Sequence, residues 1–314
     1  MSLHLASCAP VQTLARHSRM RGWRRAALVA VAGSLLAGCA STQPSAPPRA
    51  QRSSKRVRVG AAGPQRPPAA RTLAAQRVAA AHRWHLPAPP LLAPVPSSGL
   101  KRPAVPRAGF EVHGQKALGL PPVFTGVPTK DKVVFLTIDD GAEKDPAFLS
   151  MMNDLKIPYT AFLTDDEVRD NYGYFRTAQR LGTPLGNHTL HHRYLPALTY
   201  AEQKKEICGM QDIMAKQYGH RPTLLRPPYG NYNQDTLRAA KACGIKYVPI
   251  WEAETFIGKL DYRDDKTIHP GDIILTHFRG RSEWNGTMPD MIRSLVKYLN
   301  AKGYAIARLQ DYIA

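Results

Sequence analysis

Acid is almost absent from the first 130 residues. One carboxylate, Glu111, stands there against 19 Lys and Arg, whereas residues 131–314 hold 24 basic and 23 acidic side chains. The formal charge of +19 on this 314-residue chain therefore belongs to its N-terminal part. Cysteine is scarce: there are four, with no C-x-x-C pair, which excludes a thiolate-rich zinc site or a dithiol redox motif. The apolar run at residues 26–38 is thirteen residues long, short of the roughly 20 needed to cross a bilayer. Across residues 40–120 the aromatics are Trp84 and Phe110, standing apart. The basic region thus lacks the interleaved aromatic series expected of a nucleic-acid binder, and no nucleic-acid partner is expected.

The flanks of the thirteen-residue run give it a meaning. An arginine-rich head, MRGWRR, leads into it, and Leu36-Ala37-Gly38-Cys39 closes it. That order fits the apolar region of a secretory signal. The closing tetrapeptide resembles the bacterial lipoprotein box. The resemblance implies a lipoprotein signal peptide over residues 1–38, lipidation of Cys39 and attachment to the outer face of the cytoplasmic membrane. Either Met1 or Met20 can serve as the start.

Residues 40–130 carry 16 of the 27 prolines, with much Ala, Ser and Arg and few large apolar side chains. Such a stretch buries too little surface to offset its ordering entropy. It reads as a disordered tether over residues 39–125. About ninety flexible residues span roughly 50 to 55 Å, enough to carry a domain from a membrane into a cell wall. Its arginines suit diffuse attraction to anionic wall polymers or lipid headgroups.

Beyond it, short apolar runs alternate with amphipathic stretches. Strands are expected at 133–138, 159–163, 184–187, 223–225, 246–251, 272–277 and 304–307. Helices are expected at 145–155, 172–181, 199–218, 234–242 and 287–302. Thr199 with Glu202 reads as a capping box and Gly219 as the matching stop. Residues 252–271 are least defined; a helix is the provisional reading. Alternating strands and helices indicate an α/β fold with parallel pairing, a barrel before an open doubly wound sheet. The barrel is favoured because the distinctive polar residues cluster at strand ends. Cys208 and Cys243, the cysteines beyond the processing site, suggest a disulfide in an exported domain.

Those polar residues are Asp139-Asp140, the HTLHH of residues 188–192, the RPPYG of residues 226–230, Trp251, and Thr276-His277. Histidines three or four apart can hold one metal ion, and one added carboxylate makes a two-His, one-carboxylate set with open positions. Two adjacent aspartates at the end of a buried strand then divide the work. One is neutralised by coordination, and the other is free to take a proton.

Together these motifs resemble the polysaccharide deacetylases, the NodB-homology or carbohydrate esterase family 4 proteins, over about residues 131–314, within a domain expected at 126–314. The resemblance implies a distorted (β/α)7 barrel. It makes Asp139 the catalytic base, Asp140, His188 and His192 the metal ligands, and His191 a bystander. Arg226 would orient the base, the Tyr229 backbone N–H would help hold the oxyanion, Leu275 would wall the pocket and His277 would be the acid. The cofactor implied is a divalent metal, Zn²⁺ first, with Co²⁺ or another ion as alternatives. The substrate implied is an acetylated polysaccharide. Peptidoglycan is favoured by the expected location, ahead of chitin oligomers and acetylated xylan.

The sequence departs from that pattern in three places. Trp251 lacks the aspartate that accompanies it in the fourth motif, leaving Glu252 or Glu254 to tune His277. Ala142 replaces a proline after Gly141, and Phe278 replaces an aspartate after His277. The missing aspartate sustains a second class of reading, a wall-glycan-binding lipoprotein with weak catalysis or none.

Overall fold

The computed structural model describes residues 69–96, 116 and 118–313. The expected signal segment and Cys39 lie outside these residues. In chain order the elements are α1 (Ala69–Arg83), β1 (Val123–Phe124), β2 (Val133–Asp140), α2 (Pro146–Leu155), β3 (Thr160–Leu163), α3 (Asp165–Val168) and α4 (Tyr172–Arg180). They continue as β4 (Leu185–Asn187), α5 (Tyr200–Tyr218), α6 (Gln234–Ala242), β5 (Val248–Pro249), β6 (Ala253–Phe256) and β7 (Lys259–Tyr262). The last are β8 (Ile273–His277), α7 (Met288–Lys302) and β9 (Ala305–Ile306).

Every residue of β2 is buried, as an unbroken apolar and β-branched run requires when a parallel strand is covered on both faces. β8, β2, β3 and β4 lie side by side in parallel ladders. Parallel bridges then link Asn187 to Leu225 and Leu224 to Tyr247. β6 returns to pair in parallel with β8, with β7 on its outer edge. β1 joins β5 near one end, while β9 pairs with the start of β2. This is the distorted α/β barrel expected from the motifs.

The helices begin where local chemistry supplies acceptors for their free N–H groups. Asp145 Oδ1 accepts from Ala147 N at 2.8 Å, with Pro146 in the first turn of α2. Thr199 and Glu202 form the expected capping box of α5, and Gly219 ends it at φ 79°. Further capping boxes start α6 at Asn233 and α7 at Thr287. A disulfide joins Cys208 on α5 to Cys243, which caps α6.

Three expectations are corrected. The stretch read as tether contains α1, and the fold begins before residue 126. Ala80, Ala81 and Leu86 are buried, as are Leu120, Val123 and Phe124. Arg83 Nη1 and Trp84 Nε1 both donate to Asp154 Oδ2 of α2, at 2.6 and 3.0 Å. The sequence hid this contact because the docking face of α1 is made of alanines, which favour helix but leave no stripe of large apolar residues. Residues 253–262 form an antiparallel hairpin, β6–β7, in place of the provisional helix. The strand expected at 223–225 is reduced to isolated bridges.

Candidate active site

Parallel pairing brings the strand ends together, and register decides which side chains meet. Asp139 on β2 is the register partner of His277 on β8, and also of Phe162 on β3. Asp140 follows at φ 74°, a left-handed conformation that swings its side chain away from the alternation of the strand. Gly141 completes the turn at φ 98°, and a Cβ there would lie 2.5 Å from Val168 Cγ1. Left-handed backbone is costly for residues with a Cβ. Of six such non-glycine residues among the described ones, Asp140, Thr189, His192 and Tyr229 all lie in the motif segments that build the site.

The two aspartates are buried and have separate partners. Asp139 Oδ1 accepts from Arg226 Nη1 at 2.9 Å, while its Oδ2 lies 3.7 Å from His188 Nε2. Asp140 Oδ2 accepts from Arg279 Nη2 at 2.7 Å. Its Oδ1 is buried with no hydrogen-bond partner, 3.4 Å from Nε2 of both His188 and His192. Burial pushes the Asp140 carboxyl up, but the adjacent His188 imidazole and the charges of His188, His277 and His192 outweigh it and hold the group well below the usual range.

His188 Nδ1 lies 2.6 Å from the Arg226 carbonyl oxygen. A carbonyl can only accept, so Nδ1 carries the proton and Nε2 is turned to Asp140. Burial opposes protonation of His188, yet Asp139 and Asp140 raise its pKa. Burial lowers that of His192 to about 4, assisted by the neighbouring His188 charge. His191 turns away, its N–H and Nδ1 both on the Glu206 carboxylate at 2.9 and 2.8 Å. It takes no part in the cluster.

Arg226 is fully buried, and each part of its guanidinium has a partner. Nε donates to the Pro249 carbonyl at 3.0 Å, Nη1 to Thr137 Oγ1 at 2.8 Å and to Asp139, and Nη2 to the Ile250 carbonyl at 3.2 Å. Its Cζ lies 4.5 Å from the centroid of the Phe162 ring and 5.8 Å from that of Trp251. Burial lowers its pKa, and the Asp139 charge works against the loss. Gly230, at φ 66°, is required because a Cβ there would lie 2.8 Å from Trp251 Cη2. Leu275 is buried on β8, two residues before His277 on the same face of the strand.

His277 Nδ1 lies 3.2 Å from Glu254 Oε1. Burial alone would lower the His277 pKa; the Glu254 hydrogen bond with the Asp139, Asp140 and Glu254 charges raises it. Of the two glutamates left open by the sequence, Glu254 reaches the histidine. Glu252 is buried and faces the charge of Arg263. Residues two apart share a strand face, so position along the strand makes the choice, and Glu252 precedes β6. Glu254 is the register partner of Leu275, so it stands on the inner side of β6 beside His277.

Sequence reasoning missed Arg279. It sits two residues past His277 and bridges Asp140 Oδ2 to Glu283, with Nε 3.1 Å from Glu283 Oε2. Its only signal was an arginine after a strand-end histidine.

Asp140, His188 and His192 are the one set of described residues whose ligand atoms all lie within 4.8 Å of each other with metal-binding chemistry. The unpartnered, buried Asp140 Oδ1 fits a cation: it is an acceptor facing two imidazole nitrogens. Two histidines and one carboxylate suit a divalent ion with open positions.

A family profile described as Polysaccharide deacetylase matches residues 126–248. That span takes in Asp139, Asp140, His188, His192, Arg226 and Tyr229, and ends before Trp251, Glu254 and His277. An uncharacterised protein of Streptomyces coelicolor is 38% identical over 233 residues, covering 71% of this chain and 93% of its own. A peptidoglycan-N-acetylmuramic acid deacetylase of Bacillus subtilis is 28% identical over 194 residues, covering 58% of this chain and 72% of its own. A solved family 4 carbohydrate esterase from Bacillus anthracis is similar at a TM-score of 0.50 and 25% identity, covering 60% of this chain and 86% of that one.

Proposed function

The chain belongs to the polysaccharide deacetylase family, and on that premise we propose that it hydrolyses acetyl groups from N-acetylated cell-wall polysaccharide, with peptidoglycan as first candidate. One observation carries the reading. Asp140 Oδ1 lies open between two imidazoles, while Asp139, one residue earlier, is tied to a buried arginine. Adjacent carboxylates with such different partners suit different tasks.

A divalent cation, Zn²⁺ in the first instance, held by Asp140, His188 and His192 would polarise the acetyl carbonyl. Asp139 keeps Oδ1 on Arg226 and leaves Oδ2 to take a proton from the attacking water. The Tyr229 N–H, presented by its left-handed backbone, offers a hydrogen bond to the oxygen that becomes negative. His277 has Nδ1 on Glu254, so Nε2 is the atom that gives a proton to the departing sugar amine. Its raised pKa supports a protonated resting state. An amine leaves poorly without that proton.

The binding-only reading drew on the absent fourth-motif aspartate, and Glu254 supplies a carboxylate in its place. Export as a lipoprotein rests on the sequence pattern that ends at Cys39. Contact of the basic N-terminal region with anionic wall polymers rests on its charge. The test is acetate release by the full chain from peptidoglycan, chito-oligomers and acetylated xylan, with chelator and Asp139→Asn as controls. Release from one glycan, lost in both controls, is expected. No release from any of them by folded, metal-loaded protein would turn the assignment to glycan binding without hydrolysis.

A further inference from the structure

Tyr194 and Tyr229 are 50% and 59% exposed, and among the described residues they are the exposed aromatic side chains. All other described Phe, Tyr and Trp are buried or half-buried. Their rings lie side by side, with centroids 6.5 Å apart. The Tyr229 ring in turn lies 4.7 Å from that of His192, one of the cation-site residues. A continuous row therefore runs outward from the centre: His192, Tyr229, Tyr194.

Both rings are held in place by backbone fixed from below. Tyr194 enters a tight turn, Leu195–Ala197, whose Leu195 is fully buried and whose Ala197 N–H donates to the Tyr194 carbonyl. Upstream, His191 is clamped to Glu206, and Thr164 Oγ1 donates to the Leu190 carbonyl. Tyr229 is fixed by its left-handed conformation and by the fit of Gly230 against Trp251. Two aromatic faces left in water beside a reaction centre, on anchored backbone, form a preorganised surface. The apolar C–H face of a pyranose ring is the chemistry that matches an open aromatic face.

We propose that Tyr194 and Tyr229 form a stacking shelf for sugar rings flanking the acetylated unit, with Tyr194 selecting for glycan length. The inference rests on the deacetylase reading and deepens it. Tyr229 serves the centre itself, so its loss confounds two roles. Tyr194 lies one ring further out and isolates the shelf. A short glycan seated at the centre ends before Tyr194, whereas a longer one crosses it.

The experiment compares N-acetylglucosamine dimer and pentamer on the full chain carrying Tyr194 as Ala, Phe or Trp. Affinities are read by calorimetric titration in chelator, which stops turnover, and kcat/KM from initial acetate release with Zn²⁺. In wild type the pentamer is favoured. Tyr194→Ala is expected to lower pentamer affinity and kcat/KM roughly tenfold, the loss of one buried ring face. The dimer values should change far less, so the pentamer-to-dimer ratio collapses. Tyr194→Phe and Tyr194→Trp should keep the ratio, because the ring and not the hydroxyl makes the contact. An unchanged ratio in Tyr194→Ala, equal losses for both lengths, or a ratio lost in Tyr194→Phe would each overturn the shelf. Length-dependent binding that is lost in Tyr194→Ala, without acetate release, would uphold the shelf while the hydrolytic reading falls. Absence of oligomer binding by wild type in both measurements overturns the shelf, while the hydrolytic reading is decided separately by acetate release from peptidoglycan.

Discussion

Glu254 Oε1 lies 3.2 Å from Nδ1 of His277, on neighbouring parallel strands whose register places Glu254 opposite Leu275. A carboxylate at that distance favours the imidazolium and raises the His277 pKa. If His277 acts as the acid, activity falls as pH rises through that raised value. Glu254→Gln removes the charge, so the alkaline limb of the pH-rate profile should move to lower pH. Glu252→Gln, whose side chain sits elsewhere, should leave the limb in place. Profiles of kcat against pH for the two variants check this; an unmoved limb in Glu254→Gln would sink the pairing.

Arg226 is fully buried, and Asp139 is the carboxylate that holds it. Removing one partner of a buried ion pair leaves an uncompensated charge and costs about 3–5 kcal/mol. Asp139→Ala should therefore lower unfolding free energy by about that amount, read from denaturant midpoints. Asp139→Asn keeps an acceptor for Arg226. It should lose far less stability and retain metal while abolishing turnover.

Asp140 uses Oδ2 for Arg279 and presents Oδ1 to His188 and His192. Groups that orient a ligand carboxylate typically contribute about 10–100-fold to metal affinity. Arg279→Ala should weaken Zn²⁺ binding within that range, measured by chelator competition. Asp140→Asn or His188→Ala should remove the metal altogether. Equal affinity in wild type and Arg279→Ala would show that Asp140 needs no such support.

The Cys208–Cys243 bond closes a loop across a sequence separation of 35. Restricting the unfolded chain over that length stabilises the fold by about 4 kcal/mol in the chain-entropy treatment. Guanidinium unfolding with and without reductant should show a midpoint shift of that order. Cys208→Ala should reproduce the reduced protein, and no shift in either would place the stability of α5 and α6 in their packing.

The sequence by itself determined the elements that are locally encoded. The apolar run of residues 133–138, the Thr199–Glu202 capping box and Gly219 carry their own physics, since a buried strand and a capped helix are short-range solutions. The centre was legible for a related reason: Asp139-Asp140 end β2, the histidines at 188 and 192 follow β4, and Arg226 follows the bridged residues 224 and 225. In a parallel barrel all strand ends share one face. What depended on meeting a distant partner was decided only in three dimensions. The choice of Glu254 over Glu252 needed the β6–β8 register. The role of Arg279 needed the loop after β8 to fold over Asp140. The hairpin at 253–262 is held by pairing to β8, and α1 docks through two alanines and Asp154, neither of which shows as periodicity. Register and long-range contact convert adjacency in sequence into adjacency in space, and that conversion was the work of the tertiary structure.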